Sequence, residues 1–300
     1  MVVLVIGIDA GGTKTTGIIV NQQKSILFQT EKGYGNPNVH FDNALKNVWE
    51  AANDCLSSTY GQDCQAIIAG IAGIEAEGNK DRFIEYFNRH TKIPVILVND
   101  AELAYHALLP EEDGILTIAG TGSISYGRNG EIDGYAGGWG HYLGDEGSSY
   151  HIAIKVCSQI TQEYDQGLRH SSLSKAIMRE IGITDAVGLK GFIYHSTKDE
   201  IASLALPTFH EAQKGDESAK NYFYQAGIDL ANQTASLYKK LALSAPLKIA
   251  CKGSLLDNNT YVQTTFKNHL QDLIGEIEII RNDLSPAVGA CSVAKLYLPD

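Results

Sequence analysis

The 300-residue chain has no CxxC pair, no low-complexity linker and no apolar run near the roughly 20 residues that a membrane-spanning helix needs. Its five cysteines (Cys55, Cys64, Cys157, Cys251, Cys291) are odd in number and widely spaced. That gives no support to a zinc site or a disulfide framework and suits reduced thiols in a cytoplasmic protein. Positive charge is also scarce: 24 Lys and Arg against 35 Asp and Glu leave a formal charge of −11. Non-specific binding to nucleic acid or to an anionic membrane is therefore not expected. An acidic protein that handles phosphates must concentrate positive potential locally, in backbone N–H groups, a metal or a few lysines. The first residues, MVVLVIGIDAGG, are apolar but lack a basic leader and a small-residue cleavage site, so they read as a core strand rather than a signal peptide.

What is present is ordinary for a globular chain, with 44% hydrophobic and 20% charged residues. The length favours two compact units or one large α/β unit. VVLVIGIDAGGTKTTGIIV reads as strand, glycine turn, strand, with a third strand closing near 29–31. In VHFDNALKNVWEAANDCL, Phe41, Leu45, Val48, Ala52 and Leu56 recur every three or four residues, one apolar face of a helix. QAIIAGIAG and IPVILVND read as strands, NKDRFIEYFNRH and AELAYHALL as helices, giving the order βββαβαβα.

The same order starts again with GILTIAGTGSISYGRNGEIDGYAGG. It resumes with the strand LKIAC, the helix NNTYVQTTFKNHLQDL, the strand EIEII and the closing helix SPAVGACSVAKLYL. Between the two parts, residues from about 148 to 245 read as helical, an insertion in the second half. The predicted domains are thus 1–113 and 114–300, hinged near 108–114, with ligand in the cleft between two similar halves.

Chemistry is signalled at the turns. In GIDAGGTKT, Gly11 and Gly12 allow close backbone approach, while Thr13 and Lys14 add a hydroxyl and an ammonium, a nest suited to phosphate oxygens. The loop is neither a Walker A motif nor a G-x-G-x-x-G fingerprint. Asp9 beside such a nest calls for a divalent cation between carboxylate and phosphate, so Mg²⁺ held largely through water is the economical reading; a solvated Asp on a plain hairpin is the alternative. AGTGSIS repeats the pattern with Gly120, Thr121 and Gly122. Asp100, at the end of the strand in VND, either accepts the proton of an attacking alcohol or caps the next helix.

Together GIDAGGTKT, GYGNPN, VNDA, IAGTGSIS, GGWGHYLGDEGS, QKGD and ACKGSLL resemble the N-acetylglucosamine kinase branch of the BadF/BadG/BcrA/BcrD ATPase family, in the sugar kinase/actin/Hsp70 superfamily. The resemblance covers essentially the whole chain. It implies an α/β fold of two ribonuclease H-like, actin-like ATPase domains with an interdomain cleft. It also implies ATP with Mg²⁺, a homodimer, and a small amino sugar as partner. Carried over by position, Asp9, Gly11, Gly12, Thr13 and Lys14 belong to the first phosphate motif and Gly120, Thr121 and Gly122 to the second. Asp100 is the catalytic base, Asn36 contacts the sugar, and Gly138, Trp139, Gly140 and Asp145 form the main sugar loop. Gly215 and Ser254 fall on the adenosine side.

Simpler roles compete at some positions. Asn36 lies in a good turn sequence, Gly215 could separate two helices, and Ser254 could cap the next one. Trp139 either stacks on the sugar or anchors its loop in the core, with anchoring preferred; Glu146 is a supporting group or a cap for the helix near Ser148. No cysteine-rich zinc loop of the other bacterial sugar-kinase group is present, and no cysteine pair favours the iron–sulfur activator branch. The expected activity is ATP-dependent phosphorylation of the 6-hydroxyl of an N-acetylated amino sugar: N-acetylglucosamine first, with N-acetylmuramic acid or glucosamine as alternatives. The rival expectation is a nucleotide-driven ATPase acting on a partner protein, or a sugar sensor without catalysis.

Overall fold

A computed structural model describes residues 4–298. Residues 1–3, where the opening strand was expected to start, and 299–300, the end of the expected C-terminal domain, lie outside the described residues. No helix among the described residues is long and apolar enough to cross a membrane. The chain divides into two compact units, Met1–Asp113 with Ile280–Asp300, and Gly114–Ile279.

The first unit holds β1 (Leu4–Ala10), β2 (Thr15–Asn21), β3 (Ile26–Lys32), α1 (Phe41–Ser57), β4 (Cys64–Ile71), α2 (Asn79–His90), β5 (Val95–Val98) and α3 (Asp100–Leu108). Its five-stranded sheet has the order β3-β2-β1-β4-β5. β1 pairs antiparallel with β2 and parallel with β4, and β4 pairs parallel with β5. The central strands read as near-continuous apolar runs because both faces are covered. On one face Ile6, Ile8 and Ile67 pack with Val48 and Cys55 of α1 and with Phe83 and Phe87 of α2. On the other, Val5, Ile18 and Ile68 pack with Leu103 of α3.

The second unit repeats the plan. β6 (Gly114–Ala119), β7 (Ser123–Asn129) and β8 (Ile132–Gly137) form a meander. The expected helical insertion resolves into α4 (Ser149–Asp165), α5 (Ser172–Ile181), α6 (Gly188–His195), α7 (Lys198–Ala202), α8 (Ala205–Gln213) and α9 (Glu217–Lys240). Then come β9 (Leu247–Lys252), α10 (Ser254–Asn258), α11 (Thr260–Ile274) and β10 (Ile277–Ile280). The sheet order, β10-β9-β6-β7-β8, again runs third, second, first, fourth, fifth in reverse, and β6 pairs parallel with β9. Ile115 and Ile249 of this sheet share a core with Ile152, Val156, Leu230, Val262 and Phe266 from the helices.

One boundary differs from the expected 114–300 domain. A 3-10 turn (Pro286–Gly289) and α12 (Ala290–Tyr297) belong to the first unit, where Ala287, Val288 and Val293 join Val5 and Ile68 in the core. Gly7 of β1 is what admits them. A β-carbon there would lie 2.2 Å from the Ala287 carbonyl oxygen and 2.9 Å from the Ala290 β-carbon, so the closing turn sits directly on the strand backbone. Replacing Gly7 by Val must push this segment off the sheet. We expect Gly7→Val to destabilise the protein by about 2 kcal/mol or more, within or above the usual range for overpacking. A melting curve unchanged from wild type would contradict the close approach.

Candidate active site

In the first unit the chemistry gathers at the carboxyl ends of the parallel strands. The register aligns Asp9 with Gly70 and Gly70 with Val98, so residues just past β4 and β5 stand beside the end of β1. Asn99 caps α3, its Oδ1 accepting from the Ala101 N–H at 2.8 Å, and its Nδ2 donates to Glu75 at 2.9 Å. The capping role considered for Asp100 therefore falls to Asn99, and Asp100 opens the helix proper. Asp9 and Asp100 each keep some exposed surface, but enough protein surrounds them that the charged forms are poorly solvated. Burial pushes the Asp100 acid up to about 7, with further upward push from Asp9 and Glu75, against hydrogen bonds from backbone N–H groups. Burial likewise raises Asp9 to about 6 against the pull of the Lys14 ammonium.

The first glycine turn lies between Ala10 and Thr15, which close the β1–β2 hairpin. The Gly11 N–H donates to the Lys14 carbonyl at 3.0 Å, and the Gly11 carbonyl accepts from Gly35 N–H at 2.9 Å. The latter bond ties the loop carrying Asn36 to the turn. Gly12, Thr13 and Lys14 are exposed. Lys14 pairs with Glu31 at 2.7 Å, both side chains mostly in solvent, a contact that contributes little to stability. Asn36 accepts from the Asn38 N–H at 2.9 Å, so the turn role expected of it is present.

In the second unit the matching turn lies between Ala119 and Ser123. The first turn of α4 is fastened to it: Ser149 N–H donates to Gly120 and Tyr150 N–H to Thr121, at 2.9 and 3.3 Å. Thr121 Oγ1 donates to Asp199 of α7 at 2.9 Å. A cavity of about 420 Å³ opens beside this turn, with apolar walls including Leu206, Phe209, Phe223 and Leu255 and polar groups including Thr121, Asp199, Ser254 and Asn259. Such a cavity suits a flat heterocycle with a few oriented polar contacts. Ser254 is the first residue of α10, whose N-cap is Gly253, so Ser254 lines the cavity instead of capping. Gly215 is not among the lining residues; it is exposed in the turn from α8 to α9, where Asp216 caps α9.

The glycine-rich loop, 137–148, turns through positive φ at Gly137, Gly138, Gly140, Asp145 and Gly147. Trp139 is 74% exposed, with Tyr142 and Leu143 exposed beside it. The expected anchoring of Trp139 in the core is thus overturned: the left-handed backbone on either side swings the indole outward. Asp145 is buried at 3% exposure, and its Oδ1 accepts from Ser123 N–H at 3.2 Å. Lys198 Nζ lies 2.7 Å from Oδ2 but off the hydrogen-bonding direction, an ion pair without an aligned hydrogen bond. The cap of α4 is Ser148, accepting from His151 N–H, and not Glu146, whose backbone carbonyl takes the Ser123 hydroxyl at 2.7 Å.

The model of the BadF/BadG/BcrA/BcrD ATPase family matches residues 6–294. The chain belongs to this family. It is 31% identical over 304 residues to an N-acetylmuramic acid/N-acetylglucosamine kinase of Clostridium acetobutylicum, spanning 97% of this chain and 98% of that one. It is 25% identical over 308 residues to an N-acetyl-D-glucosamine kinase of Dictyostelium discoideum, covering 96% and 97%. Among solved structures, a candidate N-acetylglucosamine kinase of Chromobacterium violaceum superposes with a TM-score of 0.75 at 21% identity, over 96% and 97% of the two chains. That likeness establishes the fold, two actin-like α/β units, in this member of the BadF/BadG/BcrA/BcrD family.

Three residues that the sequence did not single out stand at these sites. Glu75, just past β4, was reachable by the strand-end rule that selected Asp100. Lys198 and Asp199 carried no motif signal, because their partners lie far away in sequence. The pKa of Asp100 also has a thermodynamic consequence. The folded protein holds this proton up to about pH 7, whereas an unfolded Asp releases it near about 3.9, so stability is lost as pH rises between those values. Asp100→Asn should raise the melting temperature above pH 7, with the gain vanishing toward pH 4. An equal difference at both pH values would contradict the burial of this carboxylate.

Proposed function

We propose that the protein is an ATP-dependent kinase that transfers phosphate to the 6-hydroxyl of an N-acetylated amino sugar, N-acetylglucosamine in the first instance. The observation that carries this reading is a strand-end carboxylate, Asp100, poised near pH 7 in a chain that matches an amino-sugar kinase along nearly its whole length. The cavity beside the second glycine turn supports adenosine binding, through Thr121, Ser254 and its apolar walls. The backbone of the two glycine turns supports phosphate contact.

In the proposed reaction Asp100 accepts the proton of the sugar 6-hydroxyl as that oxygen bonds to the γ-phosphorus and the bond to the β-phosphate oxygen breaks, leaving ADP. An Asp with a pKa near 7 is a better base than an ordinary one and is still largely ionised in slightly alkaline solution. Asn36, Gly138, Trp139, Gly140 and Asp145 are assigned to the sugar. The exposed indole of Trp139 is free to cover a sugar face, and Asp145, as an acceptor-only group, would fix hydroxyl direction.

No cluster of three or more His, Cys, Asp or Glu side chains among the described residues is arranged to hold a metal ion. The donor set nonetheless fits Mg²⁺ bound mainly by phosphates and water, with Asp9 as the protein's contribution. Two poorly solvated carboxylates, Asp9 and Asp100, favour a cation nearby. When bound there, the ion would neutralise the β- and γ-phosphate oxygens.

The direct test is ADP release with ATP, Mg²⁺ and a panel of amino sugars, with the phosphorylated carbon identified by NMR. Asp100→Asn should lower kcat by about 10²–10⁴-fold, the range for losing a general base, with nucleotide still bound. In wild type, kcat/KM should rise with pH and level off above about 7, following the Asp100 proton. ADP release indifferent to every sugar would defeat the kinase reading and favour a nucleotide-driven ATPase.

A further inference from the structure

We propose that Lys198 is the cation that meets the terminal phosphate of the nucleotide at the second glycine turn, and that Asp145 holds it in place until that phosphate arrives. This inference rests on the kinase reading above. Its basis is the position of the ammonium. A β-carbon on Gly122 would lie 2.9 Å from Lys198 Nζ and 2.8 Å from Asp145 Oδ1, so the ion pair lies directly against the turn and fills the space that the missing side chain leaves. Lys198 keeps 32% of its side-chain surface, while Asp145 keeps 4%. The carboxylate is the fixed member and the ammonium the reachable one.

The start of α7 is rigid enough to present it. Thr197 and Glu200 form a capping box, Asp199 receives the Thr121 hydroxyl, and Ile201 and Ala202 are buried. The groups facing Lys198 are Asp145 and His141, while Asp199 is turned to Thr121; burial lowers the His141 pKa and the Lys198 charge lowers it further. Lys14, the lysine expected at the first turn, is paired with Glu31 at the surface. In a chain of net charge −11, Lys198 thus places an ammonium directly against the second turn, held by a buried carboxylate rather than by a surface partner.

A phosphate oxyanion at this turn would compete with Asp145 for the ammonium. Once Lys198 turns to it, Asp145 keeps its bond from Ser123 N–H and its other oxygen becomes free for a sugar hydroxyl. Nucleotide binding would thereby prepare the acceptor carboxylate, a positive coupling between the two substrates.

The test is a double-mutant cycle of Lys198→Met, Asp145→Asn and the combined variant, read as equilibrium binding of a non-hydrolysable ATP analogue and of ADP, with Mg²⁺ and without sugar. Lys198→Met should weaken the analogue by about tenfold or more, as for loss of a charged hydrogen bond, and ADP much less. Lys198→Arg should retain most of the affinity. The loss should persist in the Asp145→Asn background, where both charges are gone and no buried carboxylate is left unpaired. If the effect of Lys198→Met disappears in that background, Lys198 is only the counter-ion of Asp145 and the inference falls. Analogue binding undiminished in Lys198→Met would overturn this inference alone; a wild-type protein that binds no analogue would overturn the nucleotide reading itself.

Discussion

Two carboxylates that water reaches poorly, Asp9 at the end of β1 and Asp100 just after β5, govern the first unit. Among the described residues the positive charge that acts on Asp9 is Lys14, whose ammonium is engaged with Glu31. A fold that places acids in this way leaves an electrostatic demand unmet in the free protein. A cation held nearby would answer it. The same burial that weakens these acids lowers stability and raises the Asp100 acid to about 7, the kind of shift that clusters at functional sites.

The second unit meets the opposite problem, how to keep anionic groups beside its glycine turn in a protein with little positive charge. It does so by pairing. Asp145 is closed off by Ser123 and Lys198, and Asp199 by Thr121. The turn, α4 and α7 are thereby joined through three hydrogen bonds at Gly120 and Thr121, and the Lys198–Asp145 pair ties α7 to the glycine-rich loop. The neighbouring cavity stays largely apolar.

Much of this was legible in the sequence, for physical reasons. A periodic apolar face gave α1 close to its observed limits, because local spacing alone decides which side of a helix is buried. The two glycine turns and the repeated order of elements along the chain were visible because hairpins are local. What escaped depended on distant partners. The exposure of Trp139 follows from successive left-handed backbone angles that composition does not reveal. Lys198 acquires meaning only when α7 is laid against a turn formed much earlier in the chain. The closing helix looked like the last piece of the second half because it follows β10, yet the bare backbone of Gly7 draws it to β1.

That last contact has a bearing on how the protein is made. During synthesis the residues of the second unit are all extruded as one contiguous stretch before 280–298 appear. The second unit can therefore complete its core while the first still exposes the face of β1, β2 and β4 that awaits Val288 and Val293. The apolar surface around Gly7 is therefore covered only after residues 280–298 have emerged from the ribosome.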